Sequence, residues 1–82
     1  MKYQVKFKPK AIKELEKFSS QDKTRIIAKI EAMADNLQGD IKKLTNFFPQ
    51  YRLRVGNYRV LFEIEDDTLM IYRVKHRQNA YN

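Results

Sequence analysis

Between Tyr51 and Ile64 apolar and polar residues alternate on both sides of a Gly56-Asn57 dipeptide. A period of two marks a half-buried strand, and a Gly-containing two-residue loop between two such runs specifies a hairpin. The loop sets the pairing: Val55 faces Tyr58, Arg54 faces Arg59, and Leu53 faces Val60. One face of the hairpin then carries Tyr51, Leu53, Val55, Tyr58, Val60 and Phe62. The other carries Arg52, Arg54 and Arg59. The apolar face needs a cover, which the rest of the chain must supply.

Two upstream segments have the right pattern. Ala11, Ile12, Leu15 and Phe18 recur at helical spacing behind Pro9, a residue suited to the first turn, and the helix is expected to end near Ser19. Ser19 to Asp22 form a capping sequence for a second helix, in which Ile26, Ile30, Met33 and Leu37 make one apolar stripe, widened by Ile27 and Ala34. Gly39 is the expected terminator. Ahead of the helices, Tyr3 to Phe7 alternate as a strand; after the hairpin, Glu65-Asp66-Asp67 make a turn and Thr68 to Lys75 a final strand. The predicted fold is α+β, a small β-α-α-β-β-β domain with two N-terminal helices packed on one mainly antiparallel sheet. No repeat or linker interrupts it, so residues 1–82 are expected to form a single domain.

The length of 82 residues supports one modest core. With no cysteine, disulfide scaffolds, thiolate metal sites and cysteine nucleophiles are excluded, and a single histidine argues against a metal centre. No cofactor is implied. No apolar run approaches the ~20 residues of a membrane span and the N-terminus has no signal-peptide core, so a soluble cytoplasmic protein is expected, with no membrane partner. The charge is more informative. Lys and Arg number 17 against 10 Asp and Glu, a net charge of +7 and a pI near 9.8. Lys42, Lys43, Arg52, Arg54 and Arg59 fall in a stretch from Lys42 to Phe62 that holds no acid. Such a concentration steers polyanions toward the surface.

Arginines placed directly across a strand pair repel, within the ~0.2–1 kcal/mol range of such contacts. Three guanidiniums on one rigid face form a clamp suited to phosphate. The plainer reading is a solvated face whose arginines pair with acids such as Glu63. After the last strand come His76, Arg77 and Tyr81, each of which in isolation is more often structural than chemical.

The run from Tyr51 to Val60, followed by an acidic turn, a strand and His76-Arg77-x-x-x-Tyr81, resembles the RelE branch of the RelE/ParE toxin superfamily. The Tyr3-x-Val5-x-Phe7-x-Pro9-x-Ala11 start and Lys43-Leu44 also fit, so the resemblance covers nearly the whole chain. It implies a bacterial or archaeal toxin of a type II toxin–antitoxin system. Such a toxin enters the ribosomal A site, cleaves messenger RNA there, and is neutralised by a RelB-like antitoxin. Toxin and antitoxin together bind their operator DNA.

Carried over by position, the resemblance implies Arg59, Arg77 and Tyr81 as catalytic residues, with Arg52, Arg54, Lys43 and His76 binding RNA phosphates. The best-known ribosome-dependent member has lysine at the positions of Arg52 and Arg54. Arginine does not lose its proton in proteins, so neither position can supply a base here. The implied reaction is a metal-independent attack of the RNA 2′-hydroxyl on phosphorus, giving a 2′,3′-cyclic phosphate. Tyr81 is the candidate base, with His76 the other possibility. The alternative is a ParE-like toxin that inhibits DNA gyrase by binding, without nuclease activity.

Overall fold

A computed structural model describes residues 2–80. The elements run β1 (Gln4–Phe7), α1 (Pro9–Glu16), α2 (Ser20–Ala34), β2 (Asp40–Lys43), β3 (Tyr51–Val55), β4 (Tyr58–Glu65) and β5 (Thr68–His76), followed by a 3-10 turn at Arg77–Asn79. The predicted α+β arrangement holds, with the short edge strand β2 as an addition. The sheet order is β1-β5-β4-β3-β2; β1 pairs with β5 in parallel and the other contacts are antiparallel. Among the described residues no helix is long and apolar enough to cross a membrane.

Both helices begin as the sequence indicates. Pro9 opens α1, where a missing N–H costs nothing, and the Ser19 hydroxyl caps α2 by accepting from the Asp22 N–H at 3.1 Å. The end of α2 differs from the expectation. It stops at Ala34, and Asn36 and Leu37 adopt positive φ values of 144° and 56° before Gly39 is reached. Leu37 therefore leaves the apolar stripe and is exposed.

The core lies between the helices and one face of the sheet. Ala11, Leu15, Ile26, Ile30 and Met33 pack there against Leu53, Val55, Val60, Phe62, Leu69, Ile71 and Val74. Two ties at the margin set the helices on the sheet. The Glu14 carboxylate accepts from Arg73 Nη2 at 2.8 Å and from the Val74 N–H at 2.9 Å, where β5 runs past the end of β1 and has no strand beside it. This hydrogen bonding holds the Arg73 guanidinium above its ordinary value. The Tyr58 hydroxyl donates to Asp22 Oδ2 at 2.8 Å. That bond, then burial, then the carboxylate charge raise the Tyr58 phenol above 10.0.

The other sheet face is divided. Toward the Glu65 end of β4 the loop of residues 44–50 folds over it. The Gln50 N–H donates to Glu63, Phe48 meets Tyr72 edge to face at 5.1 Å, and Leu61 is 2% exposed. Toward the Gly56-Asn57 turn the face is open, and the arginines lie there.

Candidate phosphate-binding site

The hairpin register is the one its turn dictates. Gly56 has a φ of +57°, natural for glycine at the first central position of a two-residue turn. Arg54 is the direct cross-strand partner of Arg59, Leu53 of Val60, and Val55 of Tyr58. Extending the row, Asp40 lies opposite Arg54 on β2 and Lys75 opposite Arg59 on β5. The open face thus reads Asp40, Arg54, Arg59, Lys75 across four strands. Arg54 is exposed, while Arg59 is half-buried and folds back on the turn. Its Nη1 donates to the carbonyl oxygens of Gly56 at 3.1 Å and Tyr58 at 3.0 Å. These bonds fix the direction of the guanidinium and leave its other donors for a ligand.

Arg52 is engaged differently. Its Nη1 donates to the Asp40 carbonyl oxygen at 2.8 Å and to Asp40 Oδ1 at 3.1 Å, and its side chain is only 15% exposed. The acid that meets the arginine face is therefore Asp40; Glu63 is occupied by the Gln50 N–H. Lys43 is exposed and lies opposite Tyr51, whereas Lys42 lies opposite Arg52 in the arginine rows.

The segment after β5 divides the remaining candidates. His76 is the partner of Tyr58, with the rings nearly perpendicular and 5.7 Å apart, and the Phe18 ring lies 4.7 Å from that of Tyr58. His76 thus belongs to the helix side of the sheet. Its Nδ1 accepts from the Gln78 N–H at 3.4 Å and caps the 3-10 turn. The Arg77 N–H donates to the Asn57 carbonyl oxygen at 2.7 Å, bringing the Arg77 backbone to the hairpin turn; its side chain is exposed. Tyr81 lies outside the described residues. The structure therefore gathers Arg54, Arg59 and the Arg77 backbone at one end of the sheet. It ties Arg52 to Asp40 and sets Lys43 and His76 on other rows. Lys75 was not among the sequence candidates.

Residues 5–81 match the family described as the ParE toxin of the type II toxin–antitoxin system, parDE. Over 48 residues the chain is 44% identical to Toxin RelE3 of Methanocaldococcus jannaschii, a match that takes in 58% of this chain and 54% of that toxin, so the chain spans about half of that relative's length. Among solved structures, the RelB-RelE antitoxin–toxin complex from Methanococcus jannaschii contains a chain 35% identical, with a TM-score of 0.75, covering 92% of this chain and 93% of that one. The toxin–antitoxin complex RelBE2 from Mycobacterium tuberculosis contains another, 26% identical with a TM-score of 0.81, covering 94% and 100%. Fold and matches together define the class, a toxin of the type II toxin–antitoxin kind. Within that class the chain belongs to the RelE branch of the RelE/ParE superfamily.

Proposed function

We propose that this toxin is a ribosome-dependent endoribonuclease that cuts messenger RNA in the A site, in the cytoplasm, and is held inactive by a RelB-like antitoxin. The observation that carries this reading is the Arg54–Arg59 pair, two guanidiniums opposite each other on the open face. Their mutual repulsion is relieved when a phosphate lies between them.

The RNA 2′-oxygen attacks the neighbouring phosphorus in line, its bond to hydrogen breaks, and the bond to the 5′-oxygen of the next nucleotide breaks. The products are a 2′,3′-cyclic phosphate and a 5′-hydroxyl, which takes its proton from solvent. Arg59 and Arg77 stabilise the phosphorane charge, and Arg54 holds the adjoining phosphate. Arg52, held by Asp40, braces β3 against β2 and adds positive field. Tyr81 takes the 2′-hydroxyl proton; guanidiniums near a phenol favour its ionised form. No strong base lies among the arginines, so positioning by the ribosome supplies much of the rate, on the order of 7–11 kcal/mol in well-oriented reactions. The antitoxin covers basic and apolar surface together, and the pair binds operator DNA.

Primer extension on a message in a translating extract tests the proposal. Discrete cuts inside codons, absent when the antitoxin is added, are expected. An uncut message with inhibited supercoiling by gyrase would replace this reading with the ParE-like one.

A further inference from the structure

At the hairpin turn the space where a side chain of Gly56 would stand is filled by a guanidinium. A Cβ there would lie 3.0 Å from Cζ and 3.2 Å from Nη1 of Arg25, and closer still to Nη2. The Arg25 head group, reaching across from α2, thus rests on the bare Cα of the glycine. The same residue meets a second arginine, because its carbonyl oxygen accepts from Arg59 Nη1 at 3.1 Å. Two guanidiniums, one from α2 and one from the open sheet face, converge on one glycine.

Among the described residues neither is paired with an acid. Arg25 is exposed and has no hydrogen bond or ion pair there. Asp22 is the acid nearest to it along α2, and Asp22 Oδ2 accepts from the Tyr58 hydroxyl instead. Lys29, the next residue on that row of the helix, is basic too. Arg59 uses only Nη1 on the turn carbonyls, so donors of both guanidiniums remain for a ligand. Like charges held this near repel, and an anion touching both relieves the repulsion.

The place of the pair selects the anion. Arg59 is the partner of Arg54 on the face that receives RNA phosphates, and Arg25 continues that positive surface round the turn toward α2. We propose that Arg25 is a further RNA-binding residue, gripping with Arg59 a backbone phosphate at the Gly56-Asn57 turn. The strand then rounds the end of the hairpin instead of lying on the sheet face alone. This inference rests on the RNA-binding reading above and extends it to a helix.

The test titrates the full chain with non-cleavable 2′-O-methyl RNA decanucleotides, one of adenines and one of uracils, by fluorescence anisotropy at several salt concentrations. Arg25→Gln should weaken both complexes about tenfold and by the same factor, since a phosphate contact reads no base. The slope of log affinity against log salt should fall by about 0.7, the share of one single-strand phosphate. Arg25→Lys keeps the charge without the planar fork, so it should keep the slope and lose less affinity. Lys6→Gln makes the same change of net charge on an exposed residue of β1, at the other end of the sheet, and should bind within about twofold of wild type. Arg25→Gln binding no worse than Lys6→Gln overturns the inference, whatever its Tm, and leaves Arg25 as a prop for the turn. The underlying reading is tested separately: if Arg59→Gln leaves RNA affinity unchanged, the RNA-binding site itself fails. If Arg59→Gln weakens binding and Arg25→Gln does not, only the role of Arg25 falls.

Discussion

Glu14 and Arg73 join the first helix to the last strand through a two-pronged ion pair, Nη2 to Oε2 at 2.8 Å and Nε to both carboxylate oxygens at 3.1 Å. The same carboxylate also takes the Val74 N–H, so one side chain closes a sheet edge and anchors a helix. Both side chains are largely shielded, at 18% and 28% exposed.

Glu14→Ala should therefore cost more than an ordinary surface ion pair. It strands a shielded guanidinium and a strand N–H, and about 2 kcal/mol is expected, a fall in Tm of roughly 10 °C. Glu14→Gln keeps an acceptor for Val74 and should lose about half as much. Thermal denaturation of the three proteins checks the order; equal Tm values for all three would mean that the pair contributes nothing.

Arg59→Ala separates chemistry from stability. The variant loses two hydrogen bonds to turn carbonyls but also the repulsion from Arg54 and Lys75. These effects oppose each other, and the unfolding free energy should change by less than about 0.5 kcal/mol. Message cleavage should fall by about 10²–10³-fold, the size of losing one donor to a developing anion. A variant that still arrests growth when induced without antitoxin removes Arg59 from the transition state.

Tyr81→Phe deletes one oxygen and keeps the ring. If the phenol is the base, cleavage should drop by ~10²–10⁴-fold with ribosome binding nearly unchanged. The readout is a single-turnover cleavage rate on programmed ribosomes, and an undiminished rate moves the base elsewhere.

Tyr58→Phe probes pH dependence. The Asp22 bond, with burial and the carboxylate charge, raises the Tyr58 phenol above its unfolded value of 10.0. A raised value means that the stabilisation is complete below about pH 10 and disappears as pH climbs through the folded value. Wild type should exceed the Phe variant by about 0.5–1 kcal/mol near pH 8, and that gap should narrow above pH 10. Denaturant melts at the two pH values decide it; a constant gap means that the hydroxyl bond does not hold the phenol in its protonated form.

The hairpin and its arginine pair were legible because a two-residue turn and a strict period of two leave a single register. The cap at Ser19 was legible for a similarly local reason. What escaped was non-local or broken in phase. Asp40-Ile41-Lys42-Lys43 has one apolar residue and forms a strand only because β3 offers an edge, so the Arg52–Asp40 contact could not be read from spacing. Leu37 kept the helical spacing of α2, yet the backbone had already turned left-handed at Asn36. Lys75 was hidden by a bulge. Counting alternately from Thr68 puts it on the helix side, but Leu61 pairs with Arg73 and Phe62 with Ile71, and the extra residue Tyr72 reverses the phase. That reversal brings Lys75 opposite Arg59.

The parallel pairing of β1 with β5 bears on how such a molecule comes into being. β1 has one neighbour in the sheet, and that neighbour lies more than sixty residues downstream, with Gln4 opposite Thr68 and Phe7 opposite Ile71. During synthesis the N-terminal strand emerges early and has nothing to pair with until Thr68–His76 has also emerged. Lys75 and the Arg77 anchor on Asn57 arrive in that same late stretch. A nascent chain therefore carries its paired arginines into the cell before it carries a closed sheet, and the poison is assembled only by its last strand.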